Sequence, residues 1–227
     1  MKHLLHVLSL GSLIFLAGCC STGSHPSAAI QLFNGKDLVG WKAVSADPNT
    51  TLEQVWSVKD GLILCTGTPM GYLHTEQKFT NYRLVVEYRW APGKEATNSN
   101  SGVFGRINGE PRKLPRCIET QLKHGSAGDL YGFHGMTITR DKDRSIFKPG
   151  HEIGGDLRGV KRAVGNEKTP GEWNHVEILA QGGNYTVWFN SKLVNQATGV
   201  EIIPGFVGLQ SEGGEVHFRK VAITPLD

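Results

Sequence analysis

No stretch of the chain is apolar for long enough to cross a bilayer, since the run from Leu4 to Phe15 falls well short of the about 20 residues a spanning helix needs. An excess of one charge is missing too. With 24 basic against 21 acidic residues the net charge is +3, so no broad field argues for nucleic acid, and a neutral partner is expected. Cysteine is scarce: beyond residue 20 only Cys65 and Cys117 remain, and no Cys-x-x-Cys or Cys/His cluster with zinc spacing occurs, which argues against a structural zinc site. A disulfide between those two would require Cα atoms within about 7 Å. Gly-x-Ser-x-Gly, Walker and dinucleotide-binding glycine patterns are absent. Serine hydrolase, nucleotide and dinucleotide chemistry therefore has no local support, and no organic cofactor is expected.

The N-terminus carries a positive signal. Met1-Lys2-His3, the apolar run and Leu16-Ala17-Gly18 follow the order of a charged, an apolar and a small-residue cleavage region, so residues 1–18 are expected to be a signal peptide. Leu16-Ala17-Gly18-Cys19 resembles the lipobox of bacterial lipoproteins, whose cysteine takes a diacylglycerol and becomes the new N-terminus. Two or more acyl chains give stable anchoring where one does not. Residues 19–28, rich in Ser, Gly, His and Pro, form a polar tether, and residues 29–227 are expected to form one domain. The expected product is an exported lipoprotein held on a membrane through Cys19, facing the periplasm or the cell exterior.

With 29 glycines and ten prolines spread along the chain, few windows could hold a long helix. Apolar residues recur instead with period two, most clearly in Tyr82, Leu84, Val86, Tyr88 and Trp90. Similar runs occupy Val55 to Val58, Leu62 to Cys65, Ser101 to Ile107, Cys117 to Lys123, Asn174 to Leu179, Tyr185 to Asn190, Phe206 to Gln210 and Val216 to Ile223. Lys59-Asp60-Gly61, Gln181-Gly182-Gly183-Asn184 and Glu212-Gly213-Gly214-Glu215 supply turns between them. Many short strands with such punctuation predict an all-β sandwich or jelly roll. The charged, glycine-rich stretch from Thr137 to Pro170 breaks the pattern and is expected to be a long loop decorating one sheet face.

Four stretches together resemble a known family: Leu32 to Trp41 (LFNGKDLVGW), Asn100 to Phe104 (NSGVF), Gly171 to Asn174 (GEWN) with Val187-Trp188, and Gly208 to Gly214 (GLQSEGG). They occur in the order found in the domain once catalogued as unknown function 1080 and since described as a 3-keto-glycoside lyase or hydrolase and 3-keto-2-hydroxy-glucal hydratase. The resemblance spans about Ile30 to Leu226 and implies a concanavalin A-like jelly roll of two antiparallel sheets, in agreement with the strand pattern. One departure stands out: Gly105 precedes Arg106 where the family usually has a bulkier apolar residue.

In the strand Cys117 to Lys123, Glu119 and Gln121 point to one face while Ile118, Thr120 and Leu122 point to the other, which the apolar residues mark as the core side. A carboxylate and an amide on the open face suit sugar hydroxyls. Arg106 is expected to reach that face, to keep Glu119 ionised and to stabilise negative charge. Among His74, His124, His134 and His151, the first choices for a base or metal ligand over the pocket are His124 and His134, whereas His175 and His217 are expected to serve their strands locally. Asn100, Ser101, Gln121, Gln210 and Glu212 complete the candidate sugar-binding set. Most of the five tryptophans are expected in the core.

The chemistry the resemblance implies is elimination. A C3 ketone acidifies the C2 proton, a base removes it, the enolate expels the C1 substituent, and water adds afterwards. Glu119 or a histidine would be the base, and Arg106 or a divalent cation with oxygen and imidazole ligands would stabilise the enolate. A sugar-binding lipoprotein without catalysis and a conventional glycanase are the rivals. The latter needs two carboxyls about 5 to 9.5 Å apart, for which Glu212 is the second candidate beside Glu119. Cys19→Ala is expected to move the protein from the membrane to the soluble fraction with its domain still folded, and unchanged membrane association would count against lipidation.

Overall fold

The computed structural model describes residues 28–93, 99–140 and 142–227, so the signal region, Cys19 and the tether up to residue 27 lie outside the described part. In chain order its strands are β1 (Ile30–Gln31), β2 (Trp41–Ser45), β3 (Trp56–Lys59), β4 (Leu62–Cys65), β5 (Gly71–Phe79), β6 (Tyr82–Trp90), β7 (Gly102–Asn108) and β8 (Arg116–Gln121). There follow β9 (Leu130–Gly132), β10 (Ser145–His151), β11 (Gly155–Val160), β12 (Asn174–Gln181), β13 (Asn184–Phe189), β14 (Lys192–Ala197), β15 (Gly205–Ser211) and β16 (Val216–Pro225). Helix among the described residues amounts to α1 (Leu52–Val55) and one 3-10 turn at Lys142–Arg144, and no helix there is long and apolar enough to cross a membrane.

Two antiparallel sheets result. The first runs β14-β13-β12-β6-β16-β4-β3, with β1 laid against β16, and the second runs β10-β11-β9-β8-β7-β15-β5-β2. Strand β6 shows why the sequence folds this way. Tyr82, Leu84, Val86, Tyr88 and Trp90 are at most 1 % exposed, whereas the residues between them face outward. Each such large side chain contributes roughly 1.5–3 kcal/mol on burial. A slip of one residue would put all five in water. Asp60 and Gly61, with φ of 52° and 75°, make the left-handed two-residue turn that closes β3 on β4.

The main core lies between the sheets, with Leu84, Val86, Ile178 and Val221 from the first meeting Val103, Ile118 and Leu209 from the second. Trp41, Trp56 and Trp90 are buried in it. Phe104 and Cys117 alternate with Val103 and Ile118, so they point the other way, and with Tyr72, Leu114, Phe133 and Leu157 they form a second apolar cluster on the outer face of the second sheet. Cys65 and Cys117 are free and buried, one in each cluster.

The stretch from Thr137 to Pro170 departs from expectation. It contains the hairpin β10–β11, which extends the second sheet through β9 instead of lying as a loop over a face. Its alternation is hidden because β10 is an edge strand, with Pro149 and Gly150 inside an irregularity between Lys148 and His151.

Arg106 also departs. Alternation would set it beside Phe104 on the outer face, but the β7–β8 register shifts between Gly105 and Asn108, and Arg106 adopts φ 54°. A bulge of this kind re-aims the side chain. The guanidinium is fully buried and donates to the carbonyl oxygens of Thr80, Gly182 and Glu201, at 3.1 Å and 2.7 Å for the first two. Arg106 thus ties three turns together and does not reach the outer face. Gly105 serves the same interior, since a Cβ there would overlap the hydroxyls of Tyr82 and Tyr185. Arg106→Met would leave three carbonyls without their charged donor, and urea denaturation is expected to show a loss of about 3 kcal/mol or more. A loss under about 1 kcal/mol would contradict this role.

Candidate functional site

The outer face of β8 presents Cys117, Glu119 and Gln121, as parity predicts, while Ile118 and Leu122 enter the main core. On the neighbouring strands the same face carries Phe104 of β7 and Gln210 of β15, with Leu209 turned inward. Glu212 follows β15 in the turn, and Asn100 precedes β7, its N–H bonded to the Gly213 carbonyl at 2.7 Å. Asn100, Glu119, Gln121, Gln210 and Glu212 line one side of a cavity of about 210 Å³. The other side comes from Leu114, from Tyr131 and Phe133 at β9, and from Ile146, Lys148, His151, Ile153 and Leu157 of the hairpin.

Glu119 is 1 % exposed. Burial, with the Glu212 and Asp129 carboxylates nearby, pushes its carboxyl well above the usual range, so it holds its proton. Arg106, turned away, does not offset this. Burial raises Glu212 as well, opposed by the Gln210 amide and the Lys123 ammonium. Glu212 is thus the first of the two to ionise. Space for the Glu119 carboxyl comes from Gly102, where a Cβ would overlap Oε1. Three buried oxygens around the cavity, Asn100 Oδ1, Glu119 Oε1 and Gln210 Oε1, have no hydrogen-bond partner among the described residues. A ligand rich in hydroxyl groups would satisfy them.

Three residues expected over the pocket lie elsewhere. His124 pairs with Glu167 at 3.3 Å and does not line the cavity. His134 is held at both ring nitrogens, with Nε2 on the Leu114 carbonyl at 2.9 Å and Nδ1 3.4 Å from the Arg112 guanidinium. Its ring props the Leu114 segment. Ser101 shares the inward parity of Val103 and donates its hydroxyl to the Gln210 carbonyl at 2.8 Å, joining β7 to β15. His175 and His217 serve the first sheet, bonding Glu87 at 3.3 Å and Glu215 at 2.8 Å.

The cavity's lysine is not among the residues singled out from sequence, and its histidine, His151, stands there behind His124 and His134. The backbone N–H of Gly154 donates to His151 Nδ1 at 3.2 Å, which assigns the proton of the neutral ring to Nε2. Lys148, at the last regular pair before the irregularity, brings the ammonium. Strand parity in β10 sets Lys148 on the face of Ile146 and could have found it had the hairpin been recognised, whereas His151 lies beyond the irregularity, where the count no longer holds. Among the described residues no three His, Cys, Asp or Glu side chains converge as ligands for a metal ion, so the residues present do not fit the divalent cation considered from sequence.

Residues 28–224 match the family described as the 3-keto-alpha-glucoside-1,2-lyase-like domain. A Bacteroides thetaiotaomicron protein named 3-keto-disaccharide hydrolase is 23% identical over 87% of this chain and 78% of its own length. The chain also resembles a crystal structure from Parabacteroides distasonis provisionally named a glycosyl hydrolase, with TM-score 0.63 and 21% identity over 88% of this chain and 94% of that one. A Bacillus licheniformis beta-glucanase superposes with TM-score 0.56 and 13% identity over 89% and 100% of the two chains. These likenesses show the fold, a concanavalin-like jelly roll.

The proton on Glu119 has a measurable consequence. In the unfolded chain this group ionises near pH 4.3, and in the folded protein well above it. The stability associated with the neutral carboxyl is complete below about pH 4.3 and drains as pH rises toward the folded pKa, by at most about 1.4 kcal/mol per pH unit. Glu119→Gln, which copies the neutral acid, is expected to match wild type near pH 4.5 and to exceed it by about 1 kcal/mol or more near pH 8. Parallel stability profiles from urea unfolding would put the carboxyl in water.

Proposed function

The chain belongs to the 3-keto-alpha-glucoside-1,2-lyase-like family of carbohydrate-active proteins, and from that premise we propose that it cleaves 3-keto-glucosides by removing the C2 proton and eliminating the C1 substituent. One observation carries the reading. Glu119 and Glu212 share a cavity whose surroundings hold the proton on Glu119 more firmly than on Glu212. Pairs pushed apart in this way divide into acid and base.

In this assignment the Glu212 carboxylate takes the proton from C2, and the electrons of that bond move to the C3 carbonyl oxygen as an enolate. Lys148 and the Nε2–H of His151 are the positive and donating groups available to that oxygen, the part expected of Arg106 from sequence. The enolate collapses, the C1–O bond breaks, and Glu119 gives its proton to the departing oxygen. An alcohol and an unsaturated 3-keto sugar result. Water then adds at C1, its proton passing to Glu119, while Glu212 returns a proton to C2. Both carboxyls regain their starting state, and the net change is hydrolysis. The orphaned oxygens of Asn100 and Gln210 would bind the sugar hydroxyls. The N-terminal segment adds the proposal that this takes place on an exported, lipid-anchored protein.

The same carboxyl pair favours a second reading, direct hydrolysis by the two-carboxylate route of ordinary glycosidases. Cleavage in heavy water separates the two. Methyl 3-keto-glucoside is expected to be cleaved with deuterium entering C2, and methyl glucoside to remain intact, because its C2 proton has no ketone to acidify it. Equal cleavage of both with hydrogen retained at C2 would establish the second route. Binding of both without cleavage would leave a sugar-binding protein.

A further inference from the structure

The cavity is chemically two-sided. Its hydrogen-bonding groups come from β8 and from the ends of β7 and β15, and they include the three buried oxygens that lack a donor among the described residues. The facing wall offers Leu114, Phe133, Ile146, Ile153 and Leu157. Tyr131 stands in that wall too, but its hydroxyl is engaged by Asp129 Oδ2 at 3.3 Å. Its ring lies nearly parallel to that of Phe133, at 18° and 6.2 Å between centroids. Lys148 and His151 are the polar groups that the hairpin adds.

A glycoside has a matching division, a hydroxylated ring on one side of the C1–O bond and the departing alcohol on the other. If the sugar satisfies the orphaned oxygens, the departing group faces the apolar wall. A second hexose there would give up the hydration of several hydroxyls against side chains that return few hydrogen bonds, which is costly. An apolar ring would lose nothing and gain burial. The volume of about 210 Å³ serves the sugar and the departing group together, so the latter has room only for a compact group. The wall is firm, because Leu114, Phe133 and Leu157 belong to the outer apolar cluster and are at most 6 % exposed.

We infer that the leaving-group side of this cavity is a specificity subsite for a compact apolar alcohol about one aromatic ring in size, in preference to a second sugar. The inference rests on the reading of the cavity as a 3-keto-glucoside site, and the experiment keeps the two separable. Benzyl, methyl and glucosyl 3-keto-glucosides are compared by kcat/KM. Benzyl alcohol is no better a leaving group than a sugar hydroxyl, so a preference for it reports binding and not bond strength.

The expected result is a kcat/KM for the benzyl compound at least tenfold above those of the methyl and glucosyl compounds, within the range that a hydrophobic pocket can discriminate. Ile153→Asn, and as a second variant Ile146→Thr, both at half-buried positions, are expected to lower the benzyl-to-methyl ratio to about threefold or less. Glucosyl turnover equal to or above benzyl, or an undiminished ratio in both variants, overturns the inference. If no 3-keto compound is turned over, the proposed reaction fails, and calorimetry on benzyl and methyl glucoside decides the subsite alone. Tighter benzyl binding that both variants abolish upholds it, and equal binding overturns it.

Discussion

Keeping one carboxyl group out of water is the constraint around which this cavity is organised. Glu119 sits on the covered outer face of an interior strand, so its charged form lacks the solvation it would have outside. The neighbouring strand yields room by carrying Gly102. The nearby carboxylates add to the penalty instead of relieving it, and the arginine that could have relieved it is turned into the space between the sheets. A single proton thereby acquires a preferred address within a pair of acids, and the pair can exchange roles without changing its total charge.

Much of the architecture could be read from period-two alternation. Strands β4 and β6 have the bounds that their apolar residues mark, and β3, β7, β8, β12, β13, β15 and β16 differ from the sequence reading by one or two residues at one or both ends. The strands that escaped are those whose pattern is diluted. Strand β5 passes through Thr75-Glu76-Gln77-Lys78, and β10 carries Pro149 and Gly150 with one unpaired edge. Alternation reports burial on one side, so an exposed edge strand leaves little trace.

Residues of the cavity were legible to the extent that strand parity governs them. Glu119, Gln121 and Gln210 follow it, and Asn100 and Glu212 flank strands that do. Ser101 follows it in the opposite sense and lies on the core side. Parity fails where the backbone gains a residue, which is how Arg106 leaves the face that counting assigns it. For His124 and His134, both outside strands, there was no parity to apply. Each is instead oriented by a distant partner, Glu167 or Leu114, that no local pattern announces.

The position of the β10–β11 hairpin has a consequence for how such a cavity can diverge. Most of the apolar wall and both of its cationic or imidazole groups are carried by the terminal hairpin of the second sheet, while the carboxyl pair is held by strands deeper within it. Lengthening, shortening or re-sequencing that hairpin disturbs the single ladder joining β11 to β9 and leaves the registers of β8, β7 and β15 alone. The lining of the leaving-group side is in this way mechanically separate from the carboxyl pair, and Lys148 and His151 are the reactive groups that any change in the hairpin carries with it.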